Sequence, residues 1–288
     1  SHVENILKFN IKEVKDEMLD IEETANSDGF FGNYWTPFKA IYWLARRAMS
    51  GSMPEDGGGS DRVGFLFWMT KTGYKFKSID TIISDGKKNG VLEYFQNDVI
   101  SDNPNFDLYN PRFERDQNIV TQMTNSLYGE KRKYFNLHTL HDTEEVPFSK
   151  SNAKQAHLGD EEEVKLNFDL NESPTRTTRV AIMDFTMRMD GTISSGDGEY
   201  HPHKVISQSR MRYETLLSKY LRVTVPMNIE LEAGSVINVK LIKSMGGVDN
   251  WQSGYYLIKD LRHTVHFTKD GVQCYTYLRL VRDTPGDD

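Results

Sequence analysis

The sequence predicts a mainly β protein with a few helices, an α+β chain, and three observations point that way. From Leu221 to Asp283, four or five runs rich in Val, Ile, Leu, Thr and Tyr are separated by turn residues, as in an antiparallel meander or small barrel. Aromatic residues are plentiful, with 14 Tyr and 15 Phe, while hydrophobic residues together reach only 38%. That balance suits β structure with broad half-buried surfaces, subunit interfaces included. Against this background, Asn33–Ala48 stands apart as a helix with its own start signal.

In chain order, residues 5–26 mix apolar and charged positions whose spacing fits a helix over 11–19, then a short strand near Leu19–Glu23. Thr36 is a good N-cap and Pro37 fits the first helical position, where a missing N–H costs nothing. Phe38, Ile41, Ala45 and Ala48 then share one face, with Leu44 beside them, and Arg46 and Arg47 complement the helix dipole. Met53–Arg62 is a polar glycine-rich loop; it lacks the strand-loop-helix setting and the Lys-Ser/Thr of a phosphate loop. Phe65–Thr70 and Tyr74–Ile79 flank Lys71-Thr72-Gly73 as a β-hairpin. Its second strand alternates Tyr74 and Phe76 against Lys75 and Lys77, so one face is buried.

From 100 to 175 the chain is polar and loop-rich, with strands expected near Ile119–Tyr128 and Lys133–Thr139. Lys150–Glu163 reads as an exposed excursion, and its acidic run Asp160–Glu163 as a solvated face. A calcium loop needs oxygen ligands alternating around a glycine, which the run lacks. Met187–His203 reads as turns. Val205–Tyr220 fits a helix leading into the strand Leu221–Val225, which Pro226 ends. Gly234 turns between strands Ile229–Glu232 and Val236–Ile242. Gly254 precedes Tyr255–His263, and Lys269-Asp270-Gly271 is a hairpin turn before Val272–Val281.

Composition narrows the function. The 288 residues suffice for one large domain or several smaller ones, with a sizeable core. A net charge of -7 argues against a body that grips nucleic acid, which needs clustered Lys and Arg. The single cysteine, Cys274, excludes a disulfide framework; its alternating setting suggests a buried thiol. The longest apolar runs, such as Gly64–Met69, are too short to span a bilayer, and no secretory signal is visible. The chain opens Ser1-His2 without a methionine, consistent with a part of a longer protein.

Three histidine pairs invite a metal test: His138 with His141, His201 with His203, and His263 with His266. A catalytic zinc needs three convergent ligands, and no His-Glu-x-x-His helix is present, so surface or interface histidines are expected. The pair around Pro202 lies on a loop and is the best placed of the three. No Gly-x-Ser-x-Gly elbow marks a nucleophile, and nothing singles out a carboxylate pair. Trp35, Trp43 and Trp68 sit in apolar contexts that suit a core or interface, whereas Trp251, in a Gly/Asp/Asn loop, is the candidate exposed anchor. No catalytic, cofactor-binding or metal-ligating residue is therefore expected.

Two segments, read together, resemble a known family. The helix PFKAIYWLARRA (Pro37–Ala48) followed by the hairpin FLFWMTKTGYKFKSID (Phe65–Asp80) is similar to the central baseplate hub proteins of T4-like contractile-tailed bacteriophages. The C-terminal pattern is similar too: Val223-Thr-Val-Pro226, then Leu231-x-Ala-Gly234-x-Val-Ile237, Ser253–His263 and Tyr277–Asp283. The resemblance covers about half the chain, in order. It implies a homotrimeric virion protein of the tail baseplate, assembled in the host cytoplasm, with no enzymatic activity and no cofactor. Each family member carries two tube-like β-barrel domains, so a trimer presents six, matching the six-fold ring of the tail tube. The hub seats the central spike protein, meets tail tube or tube-initiator proteins, and lets genome DNA pass through its channel. Tape measure and wedge proteins are further partners. Type VI secretion spike proteins share this plan and are the nearest alternative.

Family members place a first tube domain before the Pro-Phe helix, but only 36 residues precede Pro37 here. The resemblance thus divides the chain into 1–112, a remnant of the first tube domain plus the connecting helix and hairpin; 113–142 with 205–288, a discontinuous β-barrel tube domain; and 143–204, an inserted loop-rich segment. Two competing functions are a tail-associated cell-wall hydrolase using residues of 138–203, and a sugar-binding barrel with Trp251 as platform. From the net charge alone, a negatively charged channel lining is expected, which would keep DNA moving.

Overall fold

The computed structural model of the chain describes residues 1–11, 14–25, 34–51, 62–88, 90–96, 103–115, 129–136, 140–142, 146–149, 155–159, 177–182, 193–195, 198–200, 202–243, 245–269 and 271–284. It is mainly β with helices interspersed, in two compact units, each assembled from separate stretches of chain. The first unit comprises Ser1–Ile79, Ile119–Gln155 and Leu166–Glu214; the second comprises Asp80–Asn118, Ala156–Lys165 and Thr215–Asp288.

The first unit begins with α1 (His2–Asn10). Ser1 caps it: its hydroxyl accepts the Glu4 N–H at 3.2 Å while the Glu4 carboxylate accepts from the Ser1 amine at 3.2 Å. This reciprocal pair is a capping box. The helix ends at Asn10, and Ile11 is already extended. The helix expected over 11–19 is therefore displaced towards the N-terminus. Asp16–Met18 form one 3-10 turn, and β1 (Leu19–Ile21) follows as expected. Apolar residues at 6, 7, 11, 14 and 18 fit a helix in either frame, and the cap decided between them.

Helix α2 (Pro37–Ala45) starts at Thr36 and Pro37 as read, and buries Ala40, Ile41, Leu44 and Ala45. Phe38 departs from the expected buried face: it is 47% exposed, its ring 5.6 Å from that of Phe67. Strands β2 (Phe65–Thr70) and β3 (Gly73–Ser78) form the hairpin, with Phe65 opposite Ser78 and Phe67 opposite Phe76. β1 adds to β3 in parallel, giving the order β1-β3-β2. Gly73 has φ +129°, and a Cβ there would stand 2.2 Å from the Met18 carbonyl oxygen, so only glycine fits. Phe65 and Phe76 stack at 4.9 Å in a core with Val3, Leu7, Ile41, Leu44, Ala45 and Ala48. Removing such an aromatic costs about 3–5 kcal/mol.

Strand β4 (Glu93–Gln96), strand β5 (Asp107–Arg115) and helix α3 (Ile79–Lys88), from Asp80 onward, belong to the second unit and are described with it. Returning to the first unit, β6 (Gly129–Asn136) is flanked by β7 (His141–Asp142), β8 (Val146–Ser149) and β9 (Thr177–Ile182). The strand expected at Lys133–Thr139 is β6 in a shifted frame, and the one expected at Ile119–Tyr128 lies outside the described residues. Where turns were expected over Met187–His203, a short hairpin forms from β10 (Ile193–Ser195) and β11 (Gly198–Tyr200). Helix α4 (Pro202–Leu216) meets the start of β2 through one side chain. Its Tyr213 hydroxyl donates to the Phe65 carbonyl at 2.6 Å, with the Ala45 carbonyl 3.2 Å away. Burial pushes the Tyr213 phenol well above its ordinary pKa.

The second unit holds a closed six-stranded barrel. To β4 and β5 it adds β12 (Lys219–Pro226), β13 (Val236–Lys240), β14 (Gly254–Thr268) and β15 (Gly271–Arg282). Around the barrel the order is β12-β15-β14-β13-β4-β5, and β5 pairs with β12 to close it. Alternation fills the interior with Leu221, Val223, Val225, Ile237, Val239, Tyr256, Ile258, Leu278 and Leu280, joined by Tyr94 and Leu108. Each apolar side chain so buried contributes roughly 1.5–3 kcal/mol. Helix α3 lies against β13, where Gly86 leaves room for Val236: a Cβ on Gly86 would stand 2.4 Å from the valine methyl.

The early strands of the barrel come from 93–115 and not from 113–142, as the sequence had suggested; β6, at 129–136, belongs to the first unit's sheet. The reason lies at Asn110-Pro111. Asn110 has φ +51°, and the pairing with β12 shifts between Arg222 and Thr224, so the strand carries a bulge that hides it from a search for alternation. The strand expected at Ile229–Glu232 is a turn, although Leu231 still reaches the core.

Candidate interaction surfaces

β14 and β15 outrun the barrel. Leu261 faces Leu278 at its end, and the register continues through His263 and Thr276, Val265 and Cys274, Phe267 and Val272, to Thr268 and Gly271. With a period of two, the face that fills the barrel continues along this arm. His263 Nδ1 and Thr276 Oγ1, 2.8 Å apart, mark the rim. Beyond it nothing covers the apolar positions among the described residues: Val265 is 43% exposed, Phe267 82% and Val272 58%. Cys274 shares that strip and is exposed. The expectation of a buried thiol is thereby corrected; its strand alternation holds, but the strand has left the barrel.

The outer face of the barrel has a different character. One cross-strand row aligns Arg112 of β5, Arg222 of β12, Arg279 of β15 and Asp260 of β14. The next row aligns Tyr109, Thr224, Tyr277 and Arg262. Like charges directly opposite one another repel, and two carboxylates relieve part of this. Glu114 pairs with Arg222 and reaches Arg279 at 3.9 Å, while Asp260 meets Arg279 at 3.4 Å. Arg262 stands over the Tyr277 ring at 5.0 Å and Lys259 over Tyr220 at 4.8 Å. Beside the arginine row, Tyr109, Asn110, Pro111, Thr224, Tyr275 and Tyr277 line an open groove of about 530 Å³. Burial pushes the Tyr109 phenol above its ordinary pKa, with the Asp107 carboxylate adding to the effect.

A third feature corrects the reading of Lys150–Glu163 as exposed throughout. Leu158 is fully buried, and three backbone N–H groups around it are taken by side chains. Asp80 accepts from Ala156 at 2.6 Å, Asp283 from Leu158 at 2.9 Å, and the Thr284 hydroxyl from Gly159 at 2.8 Å. His157 Nδ1 lies 3.0 Å from the other Asp283 oxygen. A single leucine among polar residues gives no sign of burial; the carboxylates that receive its own amide and that of Ala156 lie far away in sequence.

His138, His201 and the run Asp160–Glu163 lie outside the described residues, as do the side chains of His141 and His203. His263 and His266 are both exposed, but three residues apart on one strand they point to opposite faces and cannot converge on one ion. Among the described residues, no group of three His, Cys, Asp or Glu is placed to hold a metal. Trp251 is 47% exposed, as its Gly/Asp/Asn setting predicts. Trp35, Trp43 and Trp68 are half-buried, with Trp35 and Trp43 in contact at 5.9 Å and Arg47 stacked on Trp43 at 3.9 Å. No described helix is long and apolar enough to cross a membrane. The arginine row went unread in the sequence. Leu221-Arg222-Val223 and Leu278-Arg279-Leu280 each show an outward arginine, but only the register sets them side by side.

No protein-family model matches the chain, and no curated protein matches it.

Proposed function

We propose that this chain is a subunit of a homotrimeric baseplate hub in a contractile tail, joining the tail tube to the central spike around a channel for DNA. One observation carries the reading beyond the sequence resemblance. The C-terminal segments that resemble the hub family build one barrel, and that barrel extends an arm whose apolar face has no cover among the described residues. Exposed apolar surface of this kind marks an interaction site, and a neighbouring subunit supplies the cover in a closed ring. The resemblance segments of the first unit also form one piece, since α2 and the β2-β3 hairpin share a core. In this reading the barrel is the tube-like domain, and the partners are two further copies, the spike and the tail tube proteins.

Sedimentation velocity of the purified chain tests the proposal. A species of three times 33.2 kDa is expected, assembling with concentration. A monomer throughout the micromolar range would falsify the hub. Digestion of purified cell walls by the isolated chain would replace it with the hydrolase reading.

A further inference from the structure

The barrel's outer face carries more positive charge than the rest of the chain leads one to expect. Among the described side chains of β5, β12, β15 and β14, the exposed or half-exposed charges are Arg112, Arg222, Lys259, Arg262 and Arg279, against Glu114 and Asp260. The whole chain has a net charge of -7, so a local excess of cations here leaves the remainder more acidic still. Among the described residues, Glu114 and Asp260 engage only Arg222 and Arg279, and Arg112 and Arg262 form no ion pair. A row of like charges on adjacent strands weakens an isolated barrel, and an anionic surface laid across it offsets that cost.

We infer that this arginine and tyrosine face docks on an acidic surface of a second copy of the chain. The inference rests on the proposed trimer and names one side of its subunit contact. Three observations favour a copy of the chain. The residue types are Arg and Tyr, those enriched in protein interface cores and hot spots. Tyr220 is already capped by Lys259, and Tyr277 by Arg262, so their rings are not free to stack on bases as a single-strand-binding sheet requires. A basic face meeting an acidic remainder is a contact between two different surfaces, the head-to-tail kind that builds a ring when the rotation between copies closes. Four strands at about 4.8 Å spacing and about seven residues of length give a patch of roughly 20 Å by 20 Å, a substantial part of what one partner contributes to a stable interface. The same face turned towards a channel would hold DNA in place.

The test reverses the two arginines that form no ion pair among the described residues, R112E with R262E, in the full chain. Sedimentation velocity and equilibrium compare it with the wild type and with R112K/R262K across a salt series. Expected is a wild-type trimer that loosens as salt rises, a charge-reversed form whose dissociation constant is at least about tenfold higher, and a lysine form close to wild type. Circular dichroism and thermal melting at low salt check that the reversed chain is folded; R279E serves as a second reversal if it is not. A reversed variant that trimerises with wild-type affinity overturns the inference and leaves the hub standing. A monomeric wild type overturns both. Unchanged assembly combined with loss of binding to a fluorescent oligo-dT strand overturns it in favour of a nucleic-acid face.

Discussion

The chain contains two hairpins built by one rule and placed in opposite circumstances. In β2-β3, alternation puts Phe65 and Phe76 on a face that α1 and α2 cover. In the outer half of β14-β15, the same alternation puts Val265, Phe267, Val272 and Cys274 on a face that no described residue covers. Period-two patterning thus tells which side chains share a face; whether that face is covered depends on elements elsewhere. The covered hairpin is a stability element, and the open one leaves its apolar face exposed among the described residues.

Substitutions should separate the two. The largest effect is expected from Phe76→Ala, about 3–5 kcal/mol lost in urea denaturation, because the stacked pair with Phe65 leaves a cavity under α2. Gly73→Val should cost about 2–4 kcal/mol, combining a left-handed φ with a collision against the Met18 carbonyl. A loss below about 1 kcal/mol would show that the β2-β3 turn relaxes freely.

A smaller effect, and a pH-dependent one, comes from Tyr213 against the same hairpin. Its phenol pKa is raised on folding, so the folded state holds the proton more tightly than the unfolded chain does. The contribution is complete below the unfolded value, near pH 10, and is lost as pH rises from there towards the folded value. The slope is about 1.4 kcal/mol per pH unit for one proton. Alkaline denaturation of Tyr213→Phe should therefore be less steep than wild type above about pH 10; identical slopes would remove Tyr213 from the account. The smallest effect belongs to the open hairpin. Phe267→Ser should change monomer stability by less than about 0.5 kcal/mol yet weaken self-association. Maleimide should label Cys274 at the rate of a free thiol in the monomer and more slowly in the proposed trimer. Equal rates in both states would place the arm outside the interface.

Local signals made much of the fold legible. Thr36-Pro37 marked the start of α2, Lys71-Thr72-Gly73 the first hairpin, and Lys269-Asp270-Gly271 the second. Ser1-x-x-Glu4 is equally local, but its capping box emerges only in the structure. What could not be read was set at a distance. β4 is only four residues long and β5 is broken by Asn110-Pro111, so neither announces a barrel wall, and both gain their place from β13 and β12. The arginine row exists only once three registers are known. Burial of Leu158 depends on Asp80 and Asp283, one on each side of it in the chain and both remote.

The interleaving of the two units has a consequence for how the protein is made. Emerging from the ribosome N-terminus first, the chain has supplied every segment of the first unit by Glu214, whereas the barrel still lacks β12, β13, β14 and β15. Until then β4 and β5 have unpaired edges, since β5 closes on β12 through pairs such as Arg115 with Tyr220. Domains form as units during synthesis, and exposed strand edges are where misassembly begins. Asp283 and Thr284, which arrive after the whole barrel, are the residues that take the amides of Leu158 and Gly159. A ribosome-stalled chain ending before Leu221 should therefore protect the first unit from protease and leave 93–115 open to it, so that neither half of this protein can be cut out as one continuous fragment.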